Sequence, residues 1–370
     1  MLVPSSASYC CYDYISTQLS GRVGSSINTI FQTKSLFFMK ALQQVAHGDP
    51  AEVVILIDMP DPQPGPDEIV VEIEAAGLHL AEIKRFRGDR GFHCTDLPRI
   101  PGYEGVGIVV KKGTAVTRFD IGDRVFPGLG KGTFCQQVCL SAAEAIPAPQ
   151  GNAQQLALMT VNGTTALILL EDFVDLKSGD WLVQNGANSN CGRNVIVLAK
   201  ERGIKTCNVV RRAALFDELY ELGADICIKD CDDPDEFAAN VKAGTEGANI
   251  YLGIDLVADK GTMRIARSLA RGGTVVNYGF ITGMPCQIEF YDLFFNDISL
   301  VGMSMGKGLA RRNSDEIRKV YEKLAADIAE GKLKAAIAGT YSLKRAREAF
   351  AHAVRTGEDR KGKIVILPNS

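Results

Sequence analysis

The chain has 370 residues, 46% of them hydrophobic and 23% charged, which predicts a folded, non-fibrous protein with two domains. The net charge of −3 argues against a general nucleic-acid binder, because phosphate recognition depends on clustered Lys and Arg. No apolar run reaches the roughly 20 residues that cross a bilayer, so we expect no membrane partner. Ten scattered cysteines without a C-x-x-C pair favour thiols in a reducing compartment and do not support a structural zinc lobe.

Residues 1–38 differ in composition from the rest of the chain. They are rich in serine, contain Asp13 as their one acidic residue, and carry Arg22 and Lys34 as their basic residues. A mitochondrial transit peptide would normally contain more arginine, and an upstream start or added extension is an equal alternative. We therefore expect a cytoplasmic protein, or a protein of the mitochondrial matrix if residues 1–38 are a transit peptide.

The segment from Glu52 to about Leu140 has the pattern of a β-rich domain. Residues 69–75 alternate apolar and charged side chains, as a half-buried strand does. Further strands are predicted at 105–110 and 122–126, separated by turn residues. These features predict an antiparallel or barrel-like domain, to which a strand-like tail at 362–367 is expected to return.

After Asn152 the pattern changes to alternating strands and helices. Strands are predicted at 181–184, 205–210, 226–228, 249–252, 274–278 and 299–302. Helices are predicted at 193–202, 213–222, 235–243, 262–271 and 312–331. This alternation predicts a parallel sheet with helices on both faces.

The strand at 181–184 runs into Asn185-Gly-Ala-Asn-Ser-Asn-Cys-Gly192 and then into a helix. Such a turn presents backbone N–H groups and a positive dipole end to phosphate, and Gly186 and Gly192 relieve crowding there. The glycine spacing does not match the strict G-x-G-x-x-G pattern, so an ordinary strand-to-helix turn is the alternative. The surrounding βαβ alternation favours a dinucleotide site.

The next predicted strand ends at Arg211 and Arg212. NAD enzymes usually place Asp or Glu here to bind the ribose 2′-hydroxyl. A guanidinium suits a 2′-phosphate by its charge and its paired donors, so the sequence favours NADPH over NADH. Two solvent-facing arginines without a ligand are the alternative.

Four stretches carry a resemblance to a known family: Val161-Asn162 with 164–166, residues 184–189, residues 208–211, and residues 269–274 with Tyr278-Gly279. The chain resembles the medium-chain dehydrogenase/reductase superfamily, in its zinc-free branch of quinone oxidoreductases and mitochondrial-type trans-2-enoyl thioester reductases. The resemblance implies an α/β fold in which a Rossmann nucleotide-binding domain (161–306) is inserted into a GroES-like β-rich catalytic domain (39–160 and 307–370). It also implies a homodimer and a small-molecule substrate.

By the same resemblance, the catalytic candidates are His79, Tyr103 and Asn162. The expected NADPH-binding residues are Thr165, Asn185, Gly186, Asn188, Ser189, Cys191, Gly192, Arg211, Arg212, Tyr278, Gly279, Met303 and Lys363. The zinc ligands of alcohol dehydrogenases match His79, Tyr103 and Val161 here. His79 and Glu104 make only two candidate ligands, whereas a catalytic zinc usually takes three, so we expect no metal.

One departure concerns the substrate. Enoyl-thioester reductases of this type carry a tyrosine just after the glycine that matches Gly88, but this chain has Asp89-Arg90-Gly91-Phe92. The expected function is therefore zinc-independent, NADPH-dependent hydride transfer to an activated double bond of an enoyl thioester, alkenal or enone. An NADPH:quinone oxidoreductase is the alternative, and a non-catalytic NADPH-binding protein is a third.

Overall fold

The computed structural model describes residues 38–355 and 361–370. The prediction for residues 1–38 lies almost wholly outside this part of the chain, since only Phe38 belongs to it. Phe38 opens a two-stranded antiparallel hairpin of β1 (Phe38–Gln44) and β2 (Val54–Pro60), separated by the short helix α1 (Pro50–Val53). The hairpin is bonded to the loop before Gln137 by backbone hydrogen bonds such as Leu42 N to Phe134 O, 2.9 Å.

The first large sheet has seven strands in the order β14-β15-β3-β4-β5-β7, with β6 paired to β3. The strands are β3 (Glu68–Leu78), β4 (Glu104–Lys112), β5 (Arg124–Phe126), β6 (Gln137–Ser141), β7 (Ile146–Pro147), β14 (Ile337–Tyr341) and β15 (Lys363–Ile366). The pairs of this sheet are antiparallel, as predicted, except that β14 pairs parallel with β15. The tail returns to this domain because β15 pairs antiparallel with β3. The strand predicted at 122–126 is shorter, because Gly122 has φ 97° and belongs to the preceding turn.

The second large sheet is fully parallel, in the order β10-β9-β8-β11-β12-β13. Its strands are β8 (Trp181–Asn185), β9 (Lys205–Val210), β10 (Ile226–Lys229), β11 (Ile250–Asp255), β12 (Thr274–Asn277) and β13 (Ser299–Gly302). This is the order 3-2-1-4-5-6 of a dinucleotide-binding sheet, in which ligands bind at the carboxyl ends where the order reverses. That point lies between β8 and β11.

Helices cover both faces of the parallel sheet. They are α4 (Met159–Glu171), α5 (Asn190–Glu201), α6 (Phe216–Leu222), α7 (Pro234–Gly244) and α8 (Lys260–Arg267). Val183 and Val275 pack with α7 and α8, whereas Leu182 and Val276 pack with α4 and α5, as alternation along a strand requires. The prediction of a two-sided parallel sheet is confirmed.

The remaining helices are α2 (Leu80–Arg87), α3 (Ala153–Ala157), α9 (Phe290–Phe294), α10 (Met305–Leu309), α11 (Ser314–Ala329) and α12 (Ala346–Ala353). The helix predicted at 312–331 begins later, because Asn313 caps it in a capping box with Glu316. The helix predicted at 262–271 ends at Arg267, where the chain turns toward Gly272 and the backbone N–H of Ala270 bonds to Ile250 O. None of the helices in residues 38–355 and 361–370 is long and apolar enough to span a membrane.

Candidate active site

The turn between β8 and α5 forms a compact cradle at the start of a helix. Gly186 has φ 59°, in the left-handed region that favours glycine. Ser189 is the N-cap of α5, and its Oγ accepts a hydrogen bond from Gly192 N at 3.0 Å. A Cβ at Gly192 would lie 2.7 Å from Ala187 O, so the turn holds this shape only with glycine there. We call residues 185–192 the phosphate turn, because its amides and helix dipole suit a phosphate group.

Groups from both sheets surround the inner side of the phosphate turn. Burial raises the pKa of the Cys191 thiol to about 12, while the ammonium of Lys363, at the start of β15, acts in the opposite direction. Tyr278 follows β12, and burial beside Cys191 raises its pKa well above the ordinary value. Its buried hydroxyl lies within reach of the side chains of Ser189 and Cys191. The Tyr278 hydroxyl therefore lies against the first turn of α5, at the inner side of the phosphate turn.

Asn185 has a different environment from that of a ligand-facing side chain. Its Nδ2 donates to the fully buried Asp255 carboxylate at 2.6 Å, and its Oδ1 accepts from Leu256 N at 2.8 Å. Thr262 and Asn277 donate to the same carboxylate at 2.6 and 2.8 Å. The side chain of Asn185 therefore ties the carboxyl ends of β8, β11 and β12 together beneath the phosphate turn.

Arg211 and Arg212 are exposed and follow directly after β9, at the same edge of the sheet as the phosphate turn. The turn is attached to the end of β9 by a backbone bond from Ala187 N to Val209 O at 3.3 Å. Asn188 is the exposed tip of the turn, and its carbonyl oxygen accepts from Arg193 Nε at 3.1 Å. The predicted 2′-phosphate arginines thus lie on the solvent side of the predicted phosphate site.

Gly279 and Met303 lie at the same edge, after β12 and β13. Asn277 holds both segments: its Nδ2 donates to Gly279 O at 2.8 Å, and its carbonyl oxygen accepts from Met303 N at 2.8 Å. A side chain at Gly279 would collide with Leu256. Apart from Lys363 on β15 and Thr165 on α4, the predicted cofactor residues therefore lie together at one edge of the parallel sheet.

On the other side, His79 and Glu104 form a buried pair. His79 precedes α2, Glu104 opens β4, and His79 Nε2 bonds to Glu104 Oε1. The other carboxylate oxygen accepts from Val161 N at 2.7 Å and from Thr160 Oγ1 at 2.9 Å. Both oxygens of Glu104 therefore have protein partners, and Glu104 links the β-rich sheet to the first turn of α4, the helix that leads into the parallel sheet.

Asn162 and Thr165 lie on α4 next to this pair, and both are buried. Asn162 Nδ2 makes a long bond of 3.4 Å to Leu158 O within its own helix. Tyr103 is half-buried, and the guanidinium of Arg85 stacks 4.6 Å from the centre of its ring. Of the three predicted catalytic residues, His79 is bonded to Glu104, Asn162 lies on the helix that Glu104 contacts, and Tyr103 precedes Glu104 in the sequence. The ring of Tyr103 also packs against Arg85.

The described residues contain no group of three or more His, Cys, Asp or Glu side chains that could hold a metal ion. Of the positions that match zinc ligands, His79 is bonded to Glu104, Val161 is apolar, and Tyr103 is stacked on Arg85. The carboxylate of Glu104 has its oxygens occupied by protein donors.

Sequence reasoning missed a second group of residues between the sheets. The ring of Phe92 stacks on Phe280 with centroids 5.7 Å apart, and Lys84 Nζ lies 3.5 Å from the centre of the Phe280 ring. Phe280 follows Gly279 at the edge of the parallel sheet, whereas Lys84 lies on α2. We call the region where α2 faces this edge the junction. A cation–π contact leaves no periodic signal in sequence, so only the fold brings these residues together.

Two family models match most of the chain. The alcohol dehydrogenase GroES-like domain matches residues 65–165, and the zinc-binding dehydrogenase model matches residues 191–326. The mitochondrial enoyl-[acyl-carrier-protein] reductase of Arabidopsis thaliana is 33% identical over 84% of this chain and 82% of its own length.

Solved structures share the fold. A mitochondrial 2-enoyl thioester reductase heterodimer from Candida tropicalis has a TM-score of 0.78 at 24% identity, covering 90% of this chain and all of that one. A mycobacterial quinone oxidoreductase has a TM-score of 0.77 at 25% identity, covering 89% and 100%. The chain therefore belongs to the medium-chain dehydrogenase/reductase superfamily, in the branch of NADPH-dependent enoyl thioester and quinone reductases.

Proposed function

We propose that this chain uses NADPH to reduce the activated double bond of a 2-enoyl thioester, without a zinc ion. The observation that carries the proposal is that the His79–Glu104 pair, where alcohol dehydrogenases hold zinc, is instead hydrogen-bonded to the first turn of α4. A carboxylate with its oxygens bonded to protein donors supports a hydrogen-bonding site rather than a metal site. The similarity to enoyl-[acyl-carrier-protein] reductases over most of both chains supports the acceptor class.

NADPH bound at the phosphate turn would supply the hydride. The turn would bind the pyrophosphate, Arg211 and Arg212 the 2′-phosphate, and Tyr278 and Lys363 would close the inner side. Asn185 supports this arrangement from beneath through Asp255. Thr165, Gly279 and Met303 are proposed to shape the nicotinamide end.

The residues on the catalytic side would stabilise the negative charge that develops on the acceptor. Hydride addition to the β-carbon leaves an enolate, whose oxygen needs donors and whose α-carbon needs a proton. Tyr103 and Asn162 are the donors we propose for the oxygen, and His79 would line the same site with its Nε2 held by Glu104. The Phe92–Phe280 contact would exclude water from the reacting atoms.

A quinone acceptor is the second candidate, and the segment Asp89-Arg90-Gly91-Phe92 favours it because the family tyrosine is missing there. A reduced quinone can take its protons from solvent, so it demands less of the protein. The test is NADPH oxidation measured side by side with a 2-enoyl-CoA, a short alkenal and an ortho-quinone, with and without a chelator. We expect the 2-enoyl-CoA to give the highest kcat/KM and the chelator to change nothing. Oxidation with the quinone alone would overturn the enoyl proposal, and loss of activity on chelation would overturn the zinc-free one.

We propose that the active form is a homodimer joined at the edge of the parallel sheet. β13 is the edge strand, and α9 beside it exposes the large rings of Phe290 and Phe294, which are 67% and 68% exposed and stack 5.0 Å apart. Exposed apolar patches of this kind often mark protein interfaces. We expect F290E/F294E to convert a dimer to a monomer in light scattering. The matched control is Ile121→Glu, an exposed apolar residue on a turn of the other sheet; an unchanged dimer in F290E/F294E would contradict this interface.

We also propose the mitochondrial matrix as the compartment, and residues 1–38 as its targeting segment. The support is the mitochondrial naming of the Arabidopsis thaliana relative. The test is to compare the distribution of the full chain and of a chain starting at Met39, each fused to a fluorescent protein. A cytoplasmic signal from both fusions would exclude this proposal and would indicate a cytoplasmic protein.

A further inference from the structure

Lys84 occupies a position that the proposed reaction leaves unassigned. It lies on α2, five residues after His79, and its ammonium reaches across the junction to the face of Phe280 at 3.5 Å. Phe280 follows Tyr278 and Gly279, so it lies at the carboxyl edge of the parallel sheet where a nicotinamide ring would bind. Lys84 therefore connects the catalytic side of the junction to the cofactor side.

The back of α2 is fixed, which directs Lys84 toward the junction. Glu82 is buried and accepts from Arg85 Nη1 at 3.5 Å and from Arg99 Nη2 at 3.3 Å. Arg99 Nε donates in turn to Gln44 Oε1 at 2.9 Å, and Gln44 Nε2 donates to Arg85 O at 3.2 Å. Because the Glu82 carboxylate and the Arg85 backbone carbonyl hold α2 in place, the position of Lys84 is fixed.

The surroundings of Lys84 suit an acid. The rings of Phe92 and Phe280 replace water on one side of its ammonium. Burial lowers its pKa below the ordinary value for lysine, with the charge of Arg87 acting in the same direction and that of Asp89 against it. A cation in such a place can both attract a developing oxyanion and release a proton.

We propose that Lys84 replaces the missing family tyrosine, stabilising the enolate and protonating its α-carbon. This inference rests on the proposed enoyl reduction. When the β-carbon accepts the hydride, the carbonyl π electrons move to oxygen and the ammonium of Lys84 stabilises the resulting charge. The enolate then collapses: a C–H bond forms at the α-carbon, an N–H bond of Lys84 breaks, and the neutral amine takes a proton from solvent.

The test compares Lys84→Met and Lys84→Arg with the wild type, using crotonyl-CoA and an ortho-quinone as acceptors. Arginine keeps the charge and the contact with Phe280 but releases no proton, since its pKa is above about 12. We expect kcat with crotonyl-CoA to fall about 100-fold or more in both variants, and kcat with the quinone to fall by a much smaller factor. NADPH affinity, measured by fluorescence, shows whether each variant is folded and binds cofactor. Lys177→Met removes a lysine that is 70% exposed far from the junction and serves as the matched control.

Each outcome is decisive. A selective loss with crotonyl-CoA supports the role of Lys84, whereas equal losses with both acceptors, or no loss with crotonyl-CoA, overturn it. Failure of the enoyl proposal itself is seen in the wild type alone, as reduction of quinone without reduction of crotonyl-CoA. That result also removes the role of Lys84, because quinone reduction requires no protonation at carbon.

Discussion

The two sides of the junction are organised by different means. On the cofactor side, the phosphate turn is one continuous segment, fixed by backbone bonds, by the Ser189 cap and by glycines that admit no side chain. On the catalytic side, His79, Glu104 and Val161 are far apart in sequence and meet only through side-chain hydrogen bonds. Substitutions should therefore act locally on the cofactor side, whereas on the catalytic side one substitution should disturb several elements at once.

The largest effect is expected for Glu104→Leu. The change leaves Val161 N–H, Thr160 O–H and His79 without their acceptor in a buried place, which should cost about 3 kcal/mol of unfolding free energy. Activity should fall with it, because β4, α2 and α4 lose their shared anchor. Urea unfolding and NADPH oxidation measure the two losses.

Glu144→Leu is the control for this substitution, because Glu144 forms an ion pair with Lys131 at the surface. Its unfolding free energy should change by less than about 1 kcal/mol. If Glu104→Leu were as stable as Glu144→Leu, the carboxylate would not be the anchor of the catalytic side.

An effect of similar size, but on binding instead of stability, is expected for Arg211→Ala combined with Arg212→Ala. Two charge-assisted hydrogen bonds to a 2′-phosphate contribute about 3 kcal/mol together, so NADPH should bind roughly 100-fold more weakly. NADH should bind as before, since it has no such phosphate. Arg271→Ala, an exposed arginine before the amino end of β12, is the control. Equal losses for NADH and NADPH would remove the two arginines from cofactor selection.

Gly192→Ala should weaken NADPH binding by about tenfold, because the new Cβ would lie 2.7 Å from Ala187 O and would distort the phosphate turn. The His79–Glu104 pair is remote from this turn in sequence and should keep its structure. Gly306→Ala is the control, since the nearest atom to its Cβ would be Ser304 Oγ at 3.9 Å. Unchanged NADPH affinity in Gly192→Ala would show that the phosphate turn can accept a Cβ at this position without losing its binding geometry.

The same contrast explains what the sequence could predict. The parallel sheet and the phosphate turn follow from local patterns: strand and helix periods, and glycines at a helix start. The tail also has the local pattern of a strand. Its pairing with β3 brings Lys363 close to Cys191, and no local pattern in the sequence shows this proximity. Lys84 on Phe280 was missed because a lysine on a short helix usually faces solvent. Asn185 was predicted as a cofactor residue, and the network around Asp255 that engages its side chain depends on three strand ends that only the fold brings together.

A further effect concerns pH and the Cys191 thiol of the phosphate turn. Cys191 has a pKa of about 12 in the folded protein, raised by burial, whereas a thiol in an unfolded chain ionises near about 8.5. Between these values the unfolded chain releases a proton that the folded chain keeps, so the contribution of Cys191 to stability is complete below pH 8 and falls as pH rises. The fall should approach about 1.4 kcal/mol for each pH unit in this window.

Urea unfolding at pH 8 and pH 10 under reducing conditions, on the wild type and Cys191→Ala, isolates this contribution. The stability advantage of the wild type over Cys191→Ala should shrink at pH 10. Val195→Ala, a buried and non-titrating residue of the same helix, should show the same difference from the wild type at both pH values. If the Cys191→Ala difference were also independent of pH, the thiol would be in contact with water, and the phosphate turn would be more open than its buried Cys191 and Tyr278 indicate. The cofactor side would then be mobile before NADPH binds, and the contrast between a preformed turn and an assembled catalytic side would not hold.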